Sequence, residues 1–198
     1  MMAGDLQTVD AGCLPTGSSS DGVIVLWKPV GISSARAVYR VRSITGVRKS
    51  GHAGALDPGA EGVLIVCQGK ATRLVERIMA LPKVYRAAAR LDVTSESLDS
   101  DSPLTPVPVG AEPSEDQVRG ALARFVGTIE QAPPRISAVK IGGVPAYKRA
   151  RRGEDVAPRP RPVRIDSIRL DRYVWPTMAF EMACGRGTYV RSLVRDVG

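Results

Sequence analysis

Asp57 stands in the middle of the segment GHAGALDPGAEG, residues 51–62, with Gly54 and Gly62 on either side and Pro58 directly after it. Glycine has no Cβ and lets backbone approach a ligand closely, while proline fixes the next backbone angle, so this loop can hold one carboxylate forward. A carboxylate presented in that way can serve as a nucleophile that splits one difficult reaction step into two easier ones. It can equally satisfy its own turn, and by residue type alone that use is the commoner one. His52, the only histidine, carries the same pair of readings: a ligand contact or an ordinary hydrogen-bonded loop residue. Cys13, Cys67 and Cys184 are far apart and form no CxxC pair, so a zinc site lacks ligands at usable spacing and no metal is expected. Gly69-Lys70-Ala71-Thr72 resembles the end of a nucleotide-binding loop, but Leu64 stands where the earlier glycine is required and Ala71 where the hydroxyl is required.

The charge makes nucleic acid the first partner to consider, although a basic cytosolic protein without such a partner fits the charge alone equally well. The chain of 198 residues has a net charge of +8, and such a positive surface field concentrates polyanions. Lys148, Arg149, Arg151, Arg152, Arg159, Arg161 and Arg164 face only Glu154 and Asp155 in the same stretch, which makes it a candidate for phosphate contacts, although a solvated face is the ordinary use of such a run. Aromatic residues are only 5% of the chain, too few for a platform on which many bases stack, so a shape reader with one base pocket fits better. Scattered cysteines suit a reducing compartment, and neither an export signal nor a membrane span is visible, so a cytoplasmic protein is expected.

These residues need a scaffold. Residues 1–21 are poor in large apolar groups and read as a mobile tail. Val23 to Leu26 form a short apolar run expected to be a strand covered on both faces. Ser33 or Ser34 can cap a helix bearing Val38, Val41 and Ile44, which Gly46 ends. A buried strand over residues 63–67, a helix over 71–80 and a strand over 84–91 follow. Residues 94–112, rich in Ser, Asp and Pro, read as an exposed connection. Ser114 and Gln117 form a capping box ahead of Val118, Ala121, Leu122 and Phe125. After Gly127 a strand, the Pro133-Pro134 break and a strand over 136–141 are expected; then come strands over 163–175 and 178–183, and a helix starting at Thr188. This irregular alternation implies an α+β fold with a mixed, largely antiparallel sheet flanked by helices.

The blocks GVIVLWKPVGISS, GHAGALDPGAEGVLIVCQGKATRL, KVYRAAARL, QAPPRISAVKIGGVPAYKRARRGE and GRGTYVRSLVRDVG, in this order and spacing, resemble the TruB family of pseudouridine synthases. The resemblance runs from Gly22 to Gly198, and GHAGALDP alone is a specific signal. It implies that residues 22–198 are a pseudouridine synthase catalytic domain that isomerises a uridine in the T arm of tRNA, as a monomer and without a cofactor. Asp57 then matches the catalytic aspartate, Tyr85 the tyrosine that stacks on the target base, and Arg191 the arginine that pairs with the catalytic carboxylate. Tyr189 matches a second pocket residue, Lys28 and Pro29 the pair that supports the pocket, and His52 the histidine that helps hold the RNA loop once the base is out. Gly54 falls in the same substrate-binding loop.

The chain departs from the pattern in three places. Trp27 precedes the Lys-Pro pair where the family has Asp, Ile136 replaces a tyrosine, and SESLDSDS (residues 95–102) replaces a TDTxDxDG type of stretch. Family members also continue past the last block into further sheet and an RNA-binding appendage, so a fold incomplete at its C-terminal end is expected. The rival expectation is a tRNA-binding or tRNA-folding protein of the same descent without catalysis. Asp57 separates the two.

Overall fold

The computed structural model describes residues 21–155 and 157–198. The segment read as a tail lies outside them except for Asp21, as does Cys13. The chain divides into two compact units, one ending at Val75 and the other spanning Glu76–Gly198.

The first unit is a three-stranded antiparallel sheet with a helix on one face. Strand β1 (Gly22–Lys28) pairs with β3 (Gly62–Gln68), and β3 pairs with the short β2 (Ser50–His52), giving the order β1-β3-β2. Between β1 and β2 lies helix α1 (Ser34–Thr45). The Ser33 hydroxyl accepts from the Arg36 amide at its start, and Gly46, at φ 71°, ends it with its N–H donating to the Arg42 carbonyl. Because side chains alternate across a strand, Ile24 and Leu26 share one face with their partners Val66 and Leu64, and this face packs on Ala37 and Val38 of α1. Among the described residues the other face is left open: Val25 and Trp27 are 67% and 64% exposed and Val63 is also exposed. The expectation of a strand buried on both faces is therefore corrected. A continuous apolar run arises because β1 places apolar residues on its outer side too. Buried Gln68 knots the lower end of the unit, donating to Thr45 Oγ1 and Ser50 Oγ at 2.7 and 3.1 Å.

The chain leaves this sheet through a 3-10 turn (Gly69–Leu74) and the short α2 (Val75–Ala80). The sequence predicts one continuous helix over 71–80; instead the first part winds more tightly, and no residue of either piece is fully buried. With Leu74 exposed and Val75, Ile78 and Met79 only half-buried, the apolar face supplies little of the packing that would hold a longer α-helix together.

The second unit is built on a four-stranded antiparallel sheet in the order β4-β11-β10-β7, from β4 (Lys83–Arg90), β7 (Gly127–Gln131), β10 (Arg161–Val174) and β11 (Thr177–Cys184). Beyond β4, the minimal pair β5 (Val93–Thr94) and β6 (Thr105–Pro106) brackets a turn-rich segment. Helix α3 (Glu115–Ala123) carries the expected capping box, with Ser114 Oγ accepting from the Gln117 amide and the Gln117 side chain accepting from the Ser114 amide. Val118 and Leu122 of α3 join Phe180, Met178, Met182, Ile165 and Leu193 in one core; Leu193 comes from the last helix, α5 (Val190–Val197), which begins after Tyr189 rather than at Thr188.

The strand expected over 136–141 survives only as β8 (Lys140–Ile141), paired with β9 (Val144–Pro145) ahead of the short α4 (Ala146–Ala150). Its missing ladder is replaced by irregular partners: the Ser137 carbonyl accepts from the Tyr147 amide, the Val139 carbonyl from the Ala146 amide, and the Ile136 carbonyl from the Arg191 guanidinium. Every strand pairing among the described residues is antiparallel. The α+β class with flanking helices is as expected, with its principal ladders gathered into these two sheets.

Candidate active site

Asp57 is positioned by its neighbours on both sides. Preceding it, Leu56 is clamped by Ser34: the hydroxyl donates to the Leu56 carbonyl at 3.0 Å and accepts from the Leu56 amide at 2.9 Å. After it, the Pro58 carbonyl accepts from the Gly31 amide at 2.9 Å and, more distantly, from Lys28 Nζ at 3.5 Å. The Asp57 carbonyl accepts from the Ala60 amide, closing the turn beyond. The KPVGISS segment thus grips the loop at the residues before and after the carboxylate, and Asp57 itself is half-buried. Gly54 and Gly62, at φ 114° and 138°, let the loop enter and leave through conformations that L side chains rarely adopt.

Lys28 is the least expected part of this arrangement, being 0% exposed. A lysine ammonium has three N–H bonds. Here they go to the Pro29 and Ile32 carbonyls, both at 2.8 Å, and to the Pro58 carbonyl. Burial pushes its pKa down from 10.5, and the negative charges of Asp57 and Glu61 oppose that shift. The lysine is therefore an internal tie between the turn after β1 and the loop carrying Asp57. Pro29 stands in that turn, half-buried.

His52 ends β2 and leads into the same loop. Burial lowers its pKa from 6.5, with the Gly54 backbone pulling weakly the other way. The sign of its effect on stability follows. The unfolded chain takes up this proton first as the pH falls through 6.5, so acidification costs stability until the folded imidazole protonates as well. Because the chain has one histidine, a proton NMR titration contains a single imidazole signal from it. That signal should titrate with a midpoint below 6.5; a midpoint at or above this value contradicts the buried placement.

On the second unit, Arg191 and Tyr189 sit at the start of α5. The Arg191 guanidinium donates to the Ser97 carbonyl at 2.7 Å and to the Ile136 carbonyl at 3.2 Å, so it draws together two irregular segments of that unit. Tyr189 is set by Gln131, whose side-chain amide accepts from the Tyr189 N–H at 2.8 Å and donates to its carbonyl at 3.2 Å. The Arg161 guanidinium lies 5.6 Å from the centre of the Tyr189 ring and donates to the Gly187 carbonyl. Tyr85 projects from β4 opposite Met182 of β11, half-buried beside the core. Five of the expected residues, Lys28, Pro29, His52, Gly54 and Asp57, thus fall in the first unit, and Tyr85, Tyr189 and Arg191 in the second.

Two positioning residues escape sequence reasoning. Ser34 presents itself only as an alternative to Ser33 for capping α1, and a serine beside a cap gives no sign of a second task. Gln131, 1% exposed, looks like an ordinary strand residue. The basic stretch is partly spent internally, since Arg149 pairs with Glu154 at 2.5 Å and Arg151 lies over the Tyr147 ring. Lys70 of the supposed nucleotide loop pairs with Asp21. Among the described residues no group of three or more His, Cys, Asp or Glu could hold a metal ion, and no helix is long and apolar enough to cross a membrane.

Residues 42–190 match the family described as TruB family pseudouridylate synthase (N terminal domain). The chain belongs to this family. It is 45% identical over 180 residues to the tRNA pseudouridine synthase B of Syntrophus aciditrophicus, covering 90% of this chain and 57% of the relative. To the protein of that name from Opitutus terrae it is 39% identical, covering 90% of this chain and 74% of the relative. For most of the curated relatives it matches, the chain spans about 57–62% of their length. In structure it is similar to a chain in a crystal structure of a Cbf5-Nop10-Gar1 complex, with a TM-score of 0.65 and 29% identity over 89% of this chain and 43% of that one. Membership in the TruB family carries the pseudouridine synthase fold with it.

Proposed function

We propose that this TruB family chain isomerises a uridine in the T arm of tRNA to pseudouridine, with Asp57 as nucleophile. The observation that carries the reading is the two-sided grip on the Asp57 loop, from Ser34 on Leu56 and from Gly31 and Lys28 on Pro58. A reaction that breaks the bond from ribose to a ring nitrogen and remakes it to a ring carbon must hold both fragments while the base turns over. Fixing a carboxylate in advance supplies part of the barrier as orientation that need not be found during the reaction.

The target base has to leave the RNA stack before any carboxylate can reach it. His52, at the foot of the same loop, helps hold the vacated RNA, and Gly54 lets backbone come close to it. Tyr85 offers an aromatic face to the extruded uracil, a contact worth about 1–3 kcal/mol per base in other systems. The resemblance assigns Arg191 to the charge that keeps the catalytic carboxylate ionised against desolvation, with Tyr189 beside it. No group is imported and the oxidation state is unchanged, so the chemistry calls for no cofactor. We place the reaction in the cytoplasm, carried out by a monomer.

The deciding experiment incubates the protein with an unmodified tRNA transcript and maps pseudouridine in the T arm by base-specific chemical modification and primer extension. One new stop at a T-arm uridine is expected. Absence of product under conditions in which a relative such as the Syntrophus protein modifies the transcript would overturn the reading.

A further inference from the structure

Several exposed arginines of the second unit are matched by acids, as in Arg86–Glu181, Arg119–Glu115 and Arg186–Glu76. The first unit is built differently. From Pro29 to Leu56 the sequence contains no Asp or Glu, yet it contains Arg36, Arg40, Arg42, Arg48 and Lys49. Among the described residues none of these five forms an ion pair, and all are exposed. Tyr39, Arg42, Ser43 and Arg48 surround a shallow notch of about 320 Å³ where the last turns of α1 meet the chain leading to β2. The Tyr39 ring is 69% exposed and so is accessible from solvent at the rim of the notch.

We propose that this notch is a docking point for the phosphodiester backbone of RNA. Two guanidiniums offer charge-assisted donors, the Ser43 hydroxyl offers a neutral one, and the Tyr39 ring supplies a flat apolar wall for a ribose or base beside the phosphate. Arg42 is already held in place, because its guanidinium donates to the Ser50 carbonyl. Ser50 opens β2, and β2 ends at His52, so an RNA strand gripped in the notch would continue along the same short strand toward the loop that bears Asp57. A protein segment with acidic side chains would also meet the charge, but the guanidinium and hydroxyl donors lining the notch suit an evenly charged backbone.

The inference rests on the reading of the chain as an RNA-modifying enzyme, and its test reads binding rather than turnover. Fluorescence anisotropy measures affinity for unmodified tRNA at a series of salt concentrations, for the wild type, Arg48→Gln, Tyr39→Ala and the control Arg119→Gln. Losing one phosphate contact should weaken binding about three- to tenfold at low salt and lower the slope of log affinity against log salt by about one, whereas the control should match the wild type. Tyr39→Ala should weaken binding without changing the slope. Unchanged affinity and slope in Arg48→Gln, with an unaltered thermal melt, would overturn the proposal. So would a notch that takes free phosphate alone, seen as Arg48 side-chain NMR shifts with millimolar inorganic phosphate but none with tRNA. A wild type that binds with this dependence yet makes no pseudouridine removes the proposed activity and leaves the notch; a wild type that turns over while Arg48→Gln binds normally does the reverse.

Discussion

Replacing Asp57 by asparagine is expected to abolish pseudouridine formation, by ~10⁴-fold or more, while affinity for tRNA stays within about twofold. The substitution is close to isosteric, and the amide is a poor nucleophile that carries no charge. The hydrogen bonds from Ser34, Gly31 and Lys28 go to the backbone of Leu56 and Pro58, so the substitution leaves those donors and acceptors in place. Folding and RNA capture should therefore survive, which separates the two expectations raised by the sequence. A protein that only binds or refolds tRNA would show no function that depends on this carboxylate. Single-turnover conversion and anisotropy on the same preparation read both quantities. An Asp57→Asn variant that still converts uridine at about a tenth of the wild-type rate would remove Asp57 from the chemistry, since that residual rate lies far above the expected loss.

Legibility in the sequence followed how local each signal is. The capping box at Ser114 and Gln117 and the glycine stop at Gly46 each depend on a few adjacent residues, and both appear as expected. Burial was harder to read, because it depends on what lies across a face. Val23, Val25 and Trp27 form an apolar run with their neighbours, yet only the alternate residues Ile24 and Leu26 meet α1. Residues 136–139 have the composition of a strand but lose the ladder to a guanidinium and to amides from farther along the chain. The site followed the same rule. Asp57 was conspicuous because its loop is strange in composition, whereas Ser34 and Gln131 act across 22 and 58 residues through side chains with no local peculiarity. Lys28 came to notice only through the family's Lys-Pro pair; nothing in composition indicates that a lysine would be buried.

Lys28 is where the second large effect is expected. Burying an ammonium is costly unless each donor finds an acceptor, and once it does, removing it leaves acceptors that water cannot easily reach. Lys28→Met keeps the length and apolar stem of the side chain but takes the ammonium donor from the Pro29 and Ile32 carbonyls, while the Pro58 carbonyl keeps the Gly31 amide, so we expect a stability loss of about 3 kcal/mol in urea or thermal unfolding. Turnover should fall further than stability accounts for, by ~10²-fold under conditions where the variant is folded, since misplacing a reacting group by about an ångström costs on that scale. Ser34→Ala is the companion, because it releases Leu56 on the other side of Asp57 without touching a charge. It should lower kcat with little change in KM for tRNA, and Ser34→Thr, which restores the hydroxyl, should recover part of the loss. If both variants melt lower but keep full turnover when folded, the grip serves the fold alone and Asp57 needs no fixed loop to act. If turnover collapses in both while RNA affinity holds, the position of this carboxylate is set by the KPVGISS segment, and the Lys-Pro pair and the Asp57 loop work as one device.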